Sequence, residues 1–470
     1  MSRQRAAPGV GIVHLGLGAF FRSFGAVMVE EAMTASGGDW GISGVSLRSS
    51  KIRDRLAPQG NVYTAVELSP HRQKTRIVTS LCEVIFAPEY PGALLTRLAD
   101  PSVKIVSLTV TEKGYCHIPS TGALDIAHPD IQHDIRALEP RSAVGYLVRA
   151  LDARRSAGQR PFTILSCDNL PDNGQITRNV VLGLAKAIDP KLASWIASEA
   201  RFPATMVDRI VPATTPDDIG QLTHLTGYLD RAPVFHEPFR QWVIEDNFVD
   251  GARPDFTHVP GIQLVGNVKP FELMKVRMLN GTHSALAYLG YLAGYETIAE
   301  TVNDPAFKTY VKRLWETEII PTLCPPEGVD LHRYAGELMD RYSNAAIWHK
   351  TWQIAMDGSP KLPQRLLGTI ADNIATGRSC EGLILAVAAW MRYVGGIDEQ
   401  GEPIDVRDPL ASRLRSLSDS SDAARGKVDA LLSVEQVFGA DLGELMRNNI
   451  VQAYETLMQM GAKLSCDNLR

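Results

Sequence analysis

The segment KVRMLNGTHSALAYLGYLAGY, which starts at Lys275, places a lysine, an amide and an imidazole within nine residues of one another. On an α-helix, at about 100° per residue, Lys275, His283 and Asn280 fall at about 0°, 80° and 140°. They share one broad face with apolar neighbours such as Leu279 and Leu286. Burying an amine there removes its hydration and lowers its pKa, as a general base near neutral pH requires. An Asn280 amide can donate a hydrogen bond to a developing alkoxide, and His283 can hold a substrate hydroxyl. The same residues also fit a buried polar cluster that bridges helices, and this stretch alone leaves both readings open.

Two further clusters carry groups of the same kind. SCDNLPDNG, residues 166–174, follows an apolar strand and is rich in turn formers. Asn169 is its candidate for a second alkoxide donor, and an Asx-rich turn leading to a helix near Gln175 is the plainer alternative. In MVDRIVP, Asp208 would orient Lys275 or a substrate hydroxyl, or simply pair with Arg209.

Something must position these groups. Apolar runs at 11–17, 40–47, 104–110 and 162–166 read as buried strands, separated by amphipathic stretches such as 143–157. That alternation predicts parallel strands with crossover helices. From about Pro270 the pattern turns helical, with helices expected at 271–293, 298–318, 379–393 and 440–460; Pro321, Pro325 and Pro326 mark a loop. The expected fold is α/β: an N-terminal Rossmann-type dinucleotide-binding domain, residues 1–269, followed by a mainly α-helical C-terminal substrate and catalytic domain, residues 270–470.

The first strand runs into Gly16-Leu17-Gly18 and then Phe21, Arg22 and a helix from Phe24. A glycine turn of this kind lets backbone amides approach a pyrophosphate, although Phe21 stands where a third glycine is usual. Arg22 would add a cation near the phosphates or sit as a solvated helix residue. At the end of the second strand, where an acid commonly binds the adenosine ribose, stand Arg48, Ser49, Ser50 and Lys51. Those cations suit a 2′-phosphate, so NADP is expected as an alternative to NAD.

Composition narrows the class. A chain of 470 residues, 45% hydrophobic and 21% charged, can bury two sizeable cores. A net charge of −5 argues against a nucleic-acid or acidic-membrane partner. The six cysteines are scattered without a C-x-x-C pair, which fits reduced thiols rather than disulfides or structural zinc. With no signal-peptide pattern and no apolar run of about 20 residues, a cytoplasmic protein is expected. A monomer is the default, with an oligomer possible.

Taken together, IVHLGLGAFFRSF, VSLRSSKIRDRLAPQGNVYT, IVSLTVTEKGYC, SCDNLPDNG, MVDRIVP, HEPFRQWVIED, the Lys275 segment and DGSPKLP resemble the polyol-specific long-chain dehydrogenases and reductases, the mannitol dehydrogenase family, nearly end to end. The resemblance implies hydride transfer between a nicotinamide cofactor and a sugar-derived secondary alcohol or ketone, with no catalytic metal. By the same resemblance Lys275 matches the catalytic base, and Asn169 and Asn280 match amides that stabilise the alkoxide. His283 matches a histidine at the reacting region, and Asp208 and Lys361 match substrate contacts. Glu112, in the TEKGY loop, matches a glutamate on the proton path.

Three departures bear on specificity. Phe21 and Phe24 replace two histidines common in the family's first motif, at the entrance or cofactor wall. Acids that favour NAD are replaced around Ser50 and Lys51. A substrate-contacting arginine of mannitol dehydrogenase is Gln353 here, and an amide cannot reproduce its fixed charge. The last of these points to a sugar acid, D-mannonate/D-fructuronate, whose carboxylate would meet Lys361 or Arg277. The alternatives are mannitol with fructose, another polyol, or a non-catalytic dinucleotide-binding sensor.

Overall fold

Short runs of Val, Ile and Leu build the central sheet of the computed structural model, which describes every residue except Arg5, Pro70, His71, Ala440, Asp441 and Arg470. The chain divides into two units, Met1–Lys269 and Pro270–Arg470.

In the first unit five parallel strands form the main sheet: β1 (Val10–Leu15), β2 (Gly41–Ser46), β3 (Leu81–Phe86), β4 (Ile105–Leu108) and β5 (Thr163–Ser166). Their spatial order is β3-β2-β1-β4-β5. The chain thus builds outward from β1 on one side, then returns to build on the other, as doubly wound dinucleotide folds do. Side chains alternate between two cores. Val13 and Leu15 join Leu147 and Leu151 on one face, and Ile12 joins Phe24 and Met28 on the other. Strands covered on both faces favour apolar residues on both, which is why β1 and β5 read as mainly apolar runs, with buried polar groups such as His14 hydrogen-bonded. Edge strand β3 is half-buried beyond Leu81 and carries Glu83, so no such run marks it.

Two small sheets complete the unit. One orders Ile262–Val265, Gln241–Glu245 and Thr205–Asp208, and the other pairs the hairpin Tyr63–Ser69 and Arg72–Val78 with Val234–His236.

The second unit is helical. A central helix, Glu381–Val394, is buried at every position from Gly382 to Met391 and packs against Thr282–Leu292 and Leu442–Asn468. The helix expected at 298–318 is broken. Ile298–Asn303 ends before Asp304, whose backbone is extended and whose carboxylate accepts from the Ala306 N–H at 2.9 Å to start Pro305–Arg313. Pro305 disfavours helical backbone at Asp304, and the aspartate then caps the second helix. The helix expected at 440–460 begins on Ala440 and Asp441, outside the described residues. The described part, Leu442–Asn468, bends at Gly461, where φ is 77°.

Candidate active site

The glycine turn after β1 lies where the strand order reverses, the place at which open α/β sheets bind ligands. A cleft of about 1320 Å³ opens there, walled by Gly16 and Gly18 after β1, Arg48, Ser49 and Lys51 after β2, and Thr109–Thr111 after β4. Gly16 has φ of +95°, and a Cβ there would fall 2.1 Å from the Thr109 carbonyl oxygen, so only glycine fits. At Gly18 a Cβ would project into nearly open space, with the nearest atom at 3.8 Å. The turn therefore presents bare backbone to the cleft, which suits a phosphate group.

His14 props this turn from beneath. Its Nδ1 lies 2.9 Å from Ser107 Oγ and its Nε2 lies 2.8 Å from Thr109 Oγ1, while the Thr109 hydroxyl also donates to the Gly16 carbonyl at 2.8 Å. Burial holds the imidazole neutral by pushing its pKa down to about 3. Phe21 stacks on that ring with centroids 3.3 Å apart.

Three expected cofactor contacts are placed elsewhere. Phe21 is a core residue, and Phe24, also fully buried, packs beside Trp242. Arg22 is neither solvated nor in the cleft: it is buried, donates to the Ala232 carbonyl at 2.5 Å and lies over the Tyr63 ring. The reason is local. A five-residue helix, Ala19–Ser23, precedes the longer Gly25–Ser36, and this extra turn rotates both side chains inward. Ser50 donates to Asp54 Oδ2 at 2.7 Å and does not line the cleft.

The SCDNLPDNG turn divides its labour. Asp168 accepts from the Val110 and Thr111 amides, both at 2.9 Å, and from Tyr115 Oη at 2.7 Å. It thereby fixes the start of the loop that carries Glu112, which is exposed. Asn173 donates to the Thr205 carbonyl at 2.9 Å and accepts from the Thr205 amide at 3.0 Å, tying the turn to Thr205–Asp208. Asn169, between these anchors, is exposed. Asp208 ends its strand buried at 3% exposure. Arg209 directs its guanidinium to the carbonyls of Ser23, Phe239 and Pro238.

In the second unit the Lys275 segment departs from α geometry. Residues Lys275–Gly281 form a π-helical turn between Lys269–Met274 and Thr282–Leu292. Bonding from i to i+5 brings residues five apart nearer to one face than an α-helix does, so Asn280 lies closer to Lys275 in azimuth than the α-helical angle implies. Side chains of other helices hold the turn open. Trp315 Nε1 donates to the Met278 carbonyl at 3.2 Å and to Thr282 Oγ1 at 2.8 Å, and Tyr342 Oη donates to the Leu279 carbonyl at 2.6 Å. Arg365 Nη1 reaches the Asn280 carbonyl at 3.4 Å and Ser284 Oγ at 3.0 Å. Three consecutive carbonyls thus gain donors from outside the helix, answering the demand that buried backbone groups be paired. Gly281 is needed for this packing, since a Cβ there would fall 2.5 Å from the Arg365 carbonyl oxygen.

Lys275 and His283 are buried and Asn280 is half-buried. The His283 ring lies 4.9 Å from that of His349 and 5.3 Å from that of Tyr342, centroid to centroid. Burial first, then the charges of His349, Arg365, Arg341 and Lys361, hold its pKa well below the usual range. Its Nε2 is buried with no hydrogen-bond partner among the described residues. Lys361 is half-buried, and burial together with Arg365 pushes its amine down to about 8. Gln353 is exposed on Thr351–Ala355. Arg277 is already countered, by Asp372 Oδ2 at 2.7 Å and Thr322 Oγ1 at 2.9 Å.

The residues that sequence pattern did not reveal are the supports: His14, Ser107 and Thr109 in one unit, and Trp315, Tyr342 and Arg365 in the other. Among the described residues no group of three or more His, Cys, Asp or Glu side chains is placed to hold a metal ion, and no helix is long and apolar enough to cross a membrane.

This pairing of a dinucleotide-type cleft with a helical unit bearing lysine, amide and imidazole recurs in known proteins. Residues 10–257 match the mannitol dehydrogenase Rossmann domain, and residues 267–458 match the mannitol dehydrogenase C-terminal domain. The chain belongs to the mannitol dehydrogenase family and is an oxidoreductase of that class. It is 46% identical to the D-mannonate oxidoreductase of Escherichia coli K12, over 96% of this chain and 94% of that protein. It is 39% identical to the mannitol 2-dehydrogenase of Phaeosphaeria nodorum, over 98% of this chain and 81% of that protein. Among solved structures, the Pseudomonas fluorescens mannitol 2-dehydrogenase in ternary complex with NAD and D-mannitol matches with a TM-score of 0.88 and 39% identity, covering 99% of this chain and 94% of that one.

Proposed function

We propose that the chain is a metal-independent, NAD-dependent secondary-alcohol dehydrogenase whose substrate pair is D-mannonate and D-fructuronate, working as a cytoplasmic monomer. The observation that carries the chemistry is the π-wound turn that buries Lys275, followed on the next helix by a buried His283 whose Nε2 lacks a partner among the described residues. NAD suits the first unit because the Gly16–Gly18 turn offers backbone without side chains, and Arg48 and Lys51 leave room for NADP as a second cofactor. When bound, the nicotinamide accepts hydride from the carbinol carbon or returns it to the ketone.

The chain's own groups handle the proton. In the oxidative direction the Lys275 amine takes the hydroxyl proton as the C–H bond breaks. The Asn169 and Asn280 amides donate to the oxygen as its charge grows, when such bonds strengthen. His283, held neutral, bonds a substrate hydroxyl through Nε2, and Asp208 and Lys361 contact the rest of the substrate. Glu112, exposed on its loop, passes protons to solvent.

The sugar-acid half of the proposal is supported by the similarity to D-mannonate oxidoreductase and by Gln353 in place of an arginine. The match to a mannitol 2-dehydrogenase bound to D-mannitol favours a hexitol as the second reading. Initial rates with D-fructuronate, D-tagaturonate, D-fructose and D-mannitol, each with NAD(H) and NADP(H), separate them. Turnover of D-fructuronate with NADH far above D-fructose is the expected result. Turnover of D-mannitol and D-fructose alone would replace this assignment with the second reading.

A further inference from the structure

Two cations of the second unit stand without a counter-ion among the described residues. Lys361 and Arg365 lie four positions apart, where Gly358–Leu362 passes into the π-helical Pro363–Leu367. Lys361 Nζ donates to the Met356 carbonyl. Arg365 uses Nη1 on the Asn280 carbonyl and Ser284 Oγ, and its Nε and Nη2 have no acceptor among the described residues. Three other arginines of this unit that are withdrawn from solvent keep an acid: Arg277 pairs with Asp372, Arg313 with Glu318 and Arg392 with Glu399. The acids whose charge reaches Lys361 are Asp357 and Asp408. Asp408 is occupied by the Ser359 amide and hydroxyl at 2.7 and 2.6 Å.

Two cations side by side, partly desolvated and unpaired, are unfavourable, and a bound anion would relieve both. The free Nε–Nη2 edge of a guanidinium presents two parallel N–H donors, the geometry that matches a carboxylate. Close by is the buried, unpartnered His283 Nε2, which feels the charges of Arg365 and Lys361 and is suited to a substrate hydroxyl. We propose that Lys361 and Arg365 form a carboxylate subsite, with Arg365 the residue that selects sugar acids over neutral polyols. This rests on the hydride-transfer reading above. Because Nη1 of the same guanidinium holds the Asn280 carbonyl, a carboxylate seated on Arg365 is tied to the turn that carries the Asn280 amide.

The test uses the full-length enzyme and the variants Arg365→Gln and Arg365→Lys, with KM and kcat measured for D-mannonate, D-mannitol and a hexitol phosphate. The proposal expects Arg365→Gln to raise KM for D-mannonate about 30-fold, the scale of one charged hydrogen-bonded contact. The loss of kcat/KM should be much smaller for D-mannitol, and Arg365→Lys should recover part of the affinity for D-mannonate. Equal losses for D-mannonate and D-mannitol would make Arg365 a structural prop and overturn the proposal. So would an unchanged KM for D-mannonate, or a wild-type preference for the hexitol phosphate. If Arg365→Gln does not fold, Lys361→Met serves with the same expected split between the two substrates. Wild-type enzyme that turns over D-mannitol and not D-mannonate defeats the substrate reading itself, before any variant is compared.

Discussion

Each unit buries a histidine whose pKa is driven down by loss of solvent, yet the two rings are used in opposite ways. His14 has both ring nitrogens engaged, by Ser107 and Thr109, and its face is covered by Phe21. His283 keeps Nε2 buried and unpartnered beside Lys361 and Arg365. Burial and a lowered pKa are common to both rings, and on the function proposed above the count of satisfied nitrogens is what distinguishes these two. The same contrast extends to the surroundings. The cleft of the first unit is shaped by glycine and main chain, and the site of the second is made of charged side chains on distorted helices.

Substituting each histidine tests the contrast most strongly. His283→Ala is expected to cut kcat/KM about 100-fold, or about 2.7 kcal/mol, with a small change in stability. His14→Ala is expected to do the reverse: about 2 kcal/mol of stability lost in urea unfolding, because the buried Ser107 hydroxyl and the half-buried Thr109 hydroxyl lose a partner, with a lesser loss of turnover. Equal effects of the two substitutions on both quantities would erase the distinction.

A smaller effect sharpens the charge side of the comparison. The Lys361 amine, lowered to about 8 by burial and by Arg365, is protonated below that pH and neutral above it. Since a carboxylate binds the protonated form, KM for D-mannonate should rise about fivefold between pH 7 and 9, with the fixed charge of Arg365 limiting the change. KM for D-mannitol should show no such rise. A flat KM for D-mannonate across this window would remove Lys361 from the subsite.

Much of the fold is legible in the sequence. Strands β1 and β5 show as apolar runs because both their faces are covered, and Gly16 is marked by its place at the end of the first run. Edge strand β3 and the small sheets leave no such trace, since their residues are only partly covered or the strands are very short. In the second unit the types and order of Lys275, Asn280 and His283 are visible, but their mutual angles are not. The π turn depends on Trp315, Tyr342 and Arg365, which stand 33 to 85 positions along the chain from the groups they hold. Arg22 shows the same limit. Its inward course depends on one extra helical turn at Ala19–Ser23, which composition does not announce.

On the proposed function Lys275 moves the proton while the glycine turn of the first unit holds the cofactor. Lys275→Ala, compared with wild type in D-fructuronate reduction and in NADH binding, tests it most directly. The account predicts turnover reduced about 1000-fold, within the range expected for a lost general acid–base, with the NADH dissociation constant within about threefold of wild type. Turnover within about tenfold of wild type, or NADH binding lost in step with it, would contradict the assignment of Lys275.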